Sequence, residues 1–165
     1  MVSAAISWYG VTKPFFVNSN GVKVNQKTYC RHLDKELFPA IEKVVKPSDW
    51  IFAQDGAPSH RANTVQDYLT RKLKRRFIRA EEWPPSSPDL NPLDYFYWDL
   101  VKKKVYGGRF GNAFESENAL KKRINQVWKE CTLDLVTIRK AIKQFVPRLK
   151  AVEEKHGRCI KMLFD

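Results

Sequence analysis

The sequence predicts an α/β fold, a sheet flanked by helices, and three observations predict it. Short apolar runs separated by turn residues crowd the first 24 positions. A continuous apolar run, Trp50-Ile51-Phe52-Ala53, stops at Asp55-Gly56, the pattern of a strand buried on both faces. Between and beyond these runs, apolar residues recur at every third or fourth position, the period of a helix packed on a core. A strand, helix, strand succession requires a crossover, so the Trp50 strand is expected to lie parallel to a neighbour. The chain has 165 residues, of which 43% are hydrophobic and 13% aromatic. That is enough for one domain with its own core, expected to span residues 1–165.

Val2 to Trp8 is the first expected strand, Tyr9-Gly10 a turn, Lys13 to Val17 a second strand, and Val22 to Val24 a third after a turn at Asn18 to Gly21. Together they read as an antiparallel meander. From Asn25, a suitable N-cap, the period changes to helical: Tyr29, Leu33, Leu37, Ile41 and Val44 form one stripe, which Lys46-Pro47-Ser48 ends. After the Trp50 strand, Arg61 to Lys72 reads as a helix with Val65, Tyr68 and Leu69 inward, and Arg76-Phe77-Ile78 as another short strand. Four prolines in WPPSSPDLNP, residues 83–92, exclude a helix interior or a central strand. Trp83 and Leu90 give this stretch apolar anchors, so an ordered loop is expected. Asn91 and Pro92 then open a helix to about Tyr106, closed by Gly107-Gly108. Ser116 to Glu130 and Leu133 to Glu154 read as two more helices, the second with Ile138, Ile142, Phe145 and Leu149 inward and kinked by Pro147.

Thirty Lys and Arg against eighteen Asp and Glu give a formal charge of +12. The excess is clustered: Arg71, Lys72, Lys74, Arg75 and Arg76 form one block and Lys102, Lys103 and Lys104 another, with Lys121 to Arg123 a third. Scattered basic residues merely solvate helix faces, but blocks release counterions from phosphates, so DNA is the expected partner. No apolar run is long enough to cross a bilayer, and MVSAAISWYG has neither the basic flank nor the length of a signal peptide, so neither membrane nor export is expected. Cys30, Cys131 and Cys159 are odd in number and far apart, which excludes a disulfide framework. Cys30 and His32, two positions apart in a helical pattern, point to different faces and lack a second ligand pair, which argues against zinc, and no small-molecule cofactor is implied.

Two carboxylates stand where α/β folds place their chemistry. Asp55 follows a strand, and Asp94 lies in the first turn of a helix. Asp-Gly is also an ordinary turn, and an acid early in a helix also serves the helix dipole, so position alone leaves both readings open. Asp89 and Asp99 compete with Asp94. Ser59 and His60 lie close to Asp55, but nothing in the pattern supplies a nucleophile elbow. His60 is expected to position DNA or to cap the next helix. Trp83 is divided between a base-stacking and a packing role, whereas Trp98, at helical spacing, reads as core.

The stretches AQDGAPSH and WPPSSPDLNPLDYFYWDL resemble the two signature blocks of mariner-type DNA transposases, within the DDE/DDD superfamily. MVSAAISWYG, GVKVNQKTYC and IRKAIKQFVPRL resemble the same family, so the similarity covers nearly the whole chain. It implies an RNase H-like mixed sheet flanked by helices, with Asp55 as the second catalytic carboxylate and Asp94 as the third. In such enzymes the acids hold two Mg²⁺ or Mn²⁺ ions for phosphodiester cleavage and strand transfer in cut-and-paste transposition. The resemblance further implies a nuclear protein acting on DNA, and a homodimer. The first carboxylate belongs to a central first strand that precedes the segment matched by Met1. The expectation is therefore a core lacking that strand and inactive alone. The alternative is a transposase-derived protein that binds DNA or dimerises without catalysis.

Overall fold

The computed structural model describes residues 1–17, 24–46, 50–107, 114–158, 160, 163 and 164. The expected turn at Asn18 to Gly21, most of the Val22 to Val24 run, Pro47-Ser48, Gly108 and Cys159 lie outside the described residues. The N-terminal strands form two short antiparallel ladders. β1 (Val2–Ser3) pairs with β4 (Phe15–Phe16), and β2 (Ile6–Ser7) with β3 (Gly10–Val11). Bonds from Val17 N to Met1 O and from Thr12 N to Ala5 O, each 2.9 Å, link the ladders into one hairpin. Gly10 closes its turn at φ +144°, a conformation L side chains rarely adopt.

Asn25 caps α1 (Gln26–His32) as expected, its side chain accepting from Lys27 N and Thr28 N while the Thr28 hydroxyl accepts from Asn25 N. A π-helical turn, Leu33–Leu37, joins α1 to α2 (Phe38–Glu42), closed by a bond from Phe38 N to Leu33 O. The predicted stripe is inward: Tyr29, Leu33, Leu37 and Ile41 are all buried, although Val45 replaces Val44 at its end. Beyond the Trp50 segment, a single turn α3 (Pro58–Arg61) precedes α4 (Asn63–Leu73); Ala62 is extended and separates them, so the helix starts later than Arg61.

The predicted strands at Trp50 to Ala53 and Arg76 to Ile78 shrink to one parallel bridge between Phe52 and Phe77. Two bonds make it, Phe52 N to Arg76 O and Ile78 N to Phe52 O, both 2.9 Å. Burial on both faces is not observed: Phe52 is buried, but its neighbour Ile51 is 67% exposed. Strand alternation explains this, because Phe52 turns toward the core while Ile51 and Ala53 turn the other way. Their backbone groups have no backbone partner among the described residues. Opposite them, Val2 and Ile6 sit in register positions that turn their peptide groups away from the hairpin partner. Between these two edges lies a cavity of about 590 Å³, lined by Val2, Ala4, Ile6, Ile51 and Phe52 among others.

The proline loop is ordered, with Trp83 and Leu90 buried and a 3-10 turn at Pro88–Leu90. A second π-helical turn, Leu93–Tyr97, opens α5 (Trp98–Tyr106), which Gly107 ends in the left-handed conformation. α6 (Glu117–Leu133) is capped by Ser116. The expected last helix divides at Gln144 into α7 (Leu135–Lys143) and α8 (Phe145–Glu154). Pro147 lacks the N–H that would bond Lys143 O, so the break falls one turn before it. The break also changes the phase: Arg148 is buried and Leu149, predicted inward, is 43% exposed.

Two apolar clusters result. One joins α1, α2 and α4 to Phe15, Phe52 and Phe77; the other joins Val11 to Tyr97, Val101, Val127, Trp128 and Ile138. Trp128 Nε1 donates to Thr12 O at 2.8 Å, fastening the hairpin to α6. No helix among the described residues is long and apolar enough to cross a membrane.

Candidate active site

Asp55 and Asp94, 39 positions apart in sequence, line the same cavity. Asp55 is the residue at which the chain leaves the Phe52 bridge and turns toward α3. Its Oδ1 accepts from Ala57 N at 3.1 Å and lies 2.6 Å from His60 Nδ1. The His60 contact, then the Ala57 bond, hold the Asp55 carboxyl below the usual carboxylate range despite partial burial. Asp94 stands at the head of the second π-helical turn. Asn91 fixes that position, its side chain accepting from Leu93 N at 3.1 Å and its carbonyl accepting from Asp94 N at 2.8 Å. Partial burial, and then the negative charge of Asp55, push the Asp94 carboxyl up; hydrogen bonds with Asn91 and Trp98 offset part of the rise. The two acids therefore sense one another. A pair of like charges at the mouth of a cavity is a field that a cation would relieve.

The competing acids are engaged elsewhere. Asp89 Oδ2 accepts from Ile160 N at 3.1 Å, and its carbonyl accepts from Arg148 at 3.4 Å, so it ties the proline loop to the C-terminal segment. Asp99 pairs with Lys103 at 2.8 Å on the outer face of α5. His32 bridges Glu36, at 2.6 Å, and the Ser3 hydroxyl, at 3.0 Å, while Cys30 approaches Thr64 O.

No family model matches the chain. The Tcb1 transposase of Caenorhabditis briggsae is 29% identical over 108 residues, 66% of this chain and 36% of the relative. The Tc3 transposase of Caenorhabditis elegans is 33% identical over 114 residues, 69% of this chain and 31% of the relative. The catalytic domain of Mos1 mariner transposase superposes with a TM-score of 0.76 at 23% identity, covering 97% of this chain and 75% of that one. The chain belongs to the Tc1/mariner transposase family. It spans about a third of the length of the curated relatives, and the structural likeness shows an RNase H-like catalytic-domain fold. Mos1 transposase has been solved with Mn and with Mg, and in a paired-end complex that superposes with a TM-score of 0.75 at 22% identity, covering 96% of this chain.

Within this family frame, two hard oxygen donors at the cavity mouth suit Mg²⁺ or Mn²⁺, which prefer carboxylates to sulfur or imidazole. Among the described residues no group of three His, Cys, Asp or Glu gathers as a metal site. Other predicted site residues scatter more widely. Arg71, Lys72, Lys74, Arg75 and Arg76 cluster at the end of α4, where Lys72 meets Asp34 at 3.3 Å and the Arg76 guanidinium lies over Trp50 at 5.3 Å. Lys102, Lys103 and Lys104 lie exposed on α5, a separate element. Trp83 is 8% exposed and forms part of the cavity wall, which favours the packing role over base stacking. Trp98 packs on Trp128 with ring centroids 5.9 Å apart, as core.

Sequence reasoning missed the support beneath His60. Its ring stacks on Tyr29 at 4.2 Å, and the Tyr29 hydroxyl donates to Gln54 Oε1 at 2.8 Å. The His60 carbonyl in turn accepts from Gln54 at 3.3 Å and Gln66 at 2.8 Å. Tyr29 carries no local signal for this role, since its spacing marks it only as part of an apolar stripe.

Proposed function

We propose that this chain is the catalytic core of a DNA transposase, in which Asp55 and Asp94 hold a divalent cation for phosphodiester cleavage and strand transfer. The observation that carries the reading is the convergence of the two carboxylates, 39 positions apart in sequence, on one cavity. Mg²⁺ or Mn²⁺ held there supplies positive charge to the attacking and departing oxygens of the exchange. The protein's part is to fix the acids: His60 and Ala57 N set the orientation of Asp55, and Asn91 sets that of Asp94.

The reading includes a third carboxylate on a further strand, seated between the Val2–Ile6 edge and the Phe52 edge. Support comes from the two facing edges with their outward peptide groups and from the apolar cavity between them. Without that strand the core is expected to be inactive. DNA is the proposed substrate, supported by the +12 charge and the blocks on α4 and α5; a homodimer and nuclear location complete the proposal. The test adds an N-terminal strand bearing an Asp and follows nicking of supercoiled DNA with Mn²⁺. Nicking that appears with the strand and disappears in Asp55→Asn and Asp94→Asn supports the assignment; nicking indifferent to both substitutions overturns it.

One observation favours a second reading, a DNA-binding protein without catalysis. His60 at 2.6 Å already occupies Asp55 Oδ1. That reading expects salt-sensitive DNA binding unchanged by Asp55→Ala and Asp94→Ala, and no Mn²⁺ binding.

A further inference from the structure

The tip of the N-terminal hairpin presents two aromatic rings at the surface, Trp8 at 37% and Tyr9 at 52% exposure. Exposed tryptophan at a tight turn contributes little to the core, yet this one is built into position. The Ser7 hydroxyl donates to Gly10 O and accepts from Tyr9 N, both at 3.2 Å, which sets the turn. Arg139 Nε donates to Trp8 O at 3.2 Å, and the Arg139 guanidinium lies over the indole at 5.3 Å. Lys143 Nζ lies over the same ring at 5.6 Å. The two cations are four residues apart on α7 and so project from one face of that helix. Lys140 lies exposed between them in sequence. Among the described residues, none of the three forms an ion pair with a carboxylate; Asp134, the acid at the head of α7, caps Thr137 N and feels the Lys140 charge only at longer range.

The hairpin tip borders the same cavity as the site. Ser7 and Gly10 of the hairpin tip and Ile142 and Val146 beside Lys143 line the cavity that Asp55 and Asp94 also line. An aromatic face backed by unpaired cations is the chemistry that holds unpaired nucleotides, with the ring stacking on a base and the cations meeting phosphates. Duplex DNA, whose bases are already stacked, has no use for the ring.

We infer that Trp8, Tyr9, Arg139, Lys140 and Lys143 form a platform for single-stranded DNA at the tip of the N-terminal hairpin. It rests on the proposed reading of the chain as a DNA-processing core and names the form of DNA that this surface takes. The experiment measures fluorescence anisotropy of a labelled 15-nucleotide oligothymidylate and of a duplex of the same length, using the whole chain, from 50 to 200 mM salt. Trp8→Ala is expected to weaken single-strand binding by about 5- to 100-fold while changing duplex binding less than about twofold. Trp8→Phe, which keeps a stacking ring and controls for folding of the hairpin, should retain most of the affinity. Lys140→Gln with Lys143→Gln should weaken single-strand binding and flatten its salt dependence. Single-strand affinity indifferent to Trp8→Ala, or lost in equal measure for single strand and duplex, overturns the platform while leaving the DNA-processing reading intact. Failure of the unaltered chain to bind either form of DNA at 50 mM salt overturns both.

Discussion

Asp94 bears its charge against two opposing influences, partial burial and the neighbouring charge of Asp55. Its folded pKa is therefore raised above the unfolded value, and the ionised form is penalised in the folded state at neutral pH. That penalty fades as pH falls through the raised folded value toward the unfolded one. Asp94→Asn is accordingly expected to stabilise the chain in urea denaturation at pH 7, with the advantage shrinking on acidification; a variant less stable at pH 7 would contradict the raised pKa. Tyr97 makes a second residue-scale case. It is fully buried, and among the described residues its hydroxyl has no hydrogen-bond partner. Tyr97→Phe should leave thermal stability unchanged or raise it, whereas a loss above about 1 kcal/mol would reveal a partner for the hydroxyl. The signature blocks around Asp55 and Asp94 singled the two acids out, but their meeting at one cavity could not be read from a separation of 39 positions. The hold of His60 on Asp55 was not legible either, since proximity in sequence suggested several roles and only the stacked Tyr29 beneath the ring selects one.

Helices were legible where burial follows a constant period. The stripe from Tyr29 to Ile41 and the cap at Asn25 appear where the pattern put them. Asn25→Ala should cost about 0.5–2 kcal/mol, because its side chain answers two amides at the exposed start of α1; thermal denaturation checks this, and an unchanged midpoint would mean the cap contributes nothing. Phase changes were not legible. A π-helical turn leaves no compositional mark, and Pro147 announces a disturbance without saying on which side the chain will break. The break at Gln144 is why Arg148 rather than Leu149 faces inward, its guanidinium set against the Tyr95 and Phe164 rings at 4.1 and 4.4 Å.

For the molecule as a whole, α/β alternation was legible, but the extent of the sheet was not. Apolar runs report the capacity to form strands, while the length of a ladder depends on neighbours far away in sequence. Here the interior pairing is a single bridge, and that bridge has a consequence for amide exchange with solvent deuterium. Phe52 donates its amide to Arg76 O, whereas Ile51 and Ala53 are exposed and face the cavity. Exchange at 52 should be slow and at 51 and 53 fast, so adjacent amides of one segment keep very different times. A strand that entered the cavity and paired with this edge would slow the two fast amides and leave Phe52 nearly unchanged. The alternation of exchange rates across three consecutive residues is thus a direct readout of whether the sheet is open or filled at its centre.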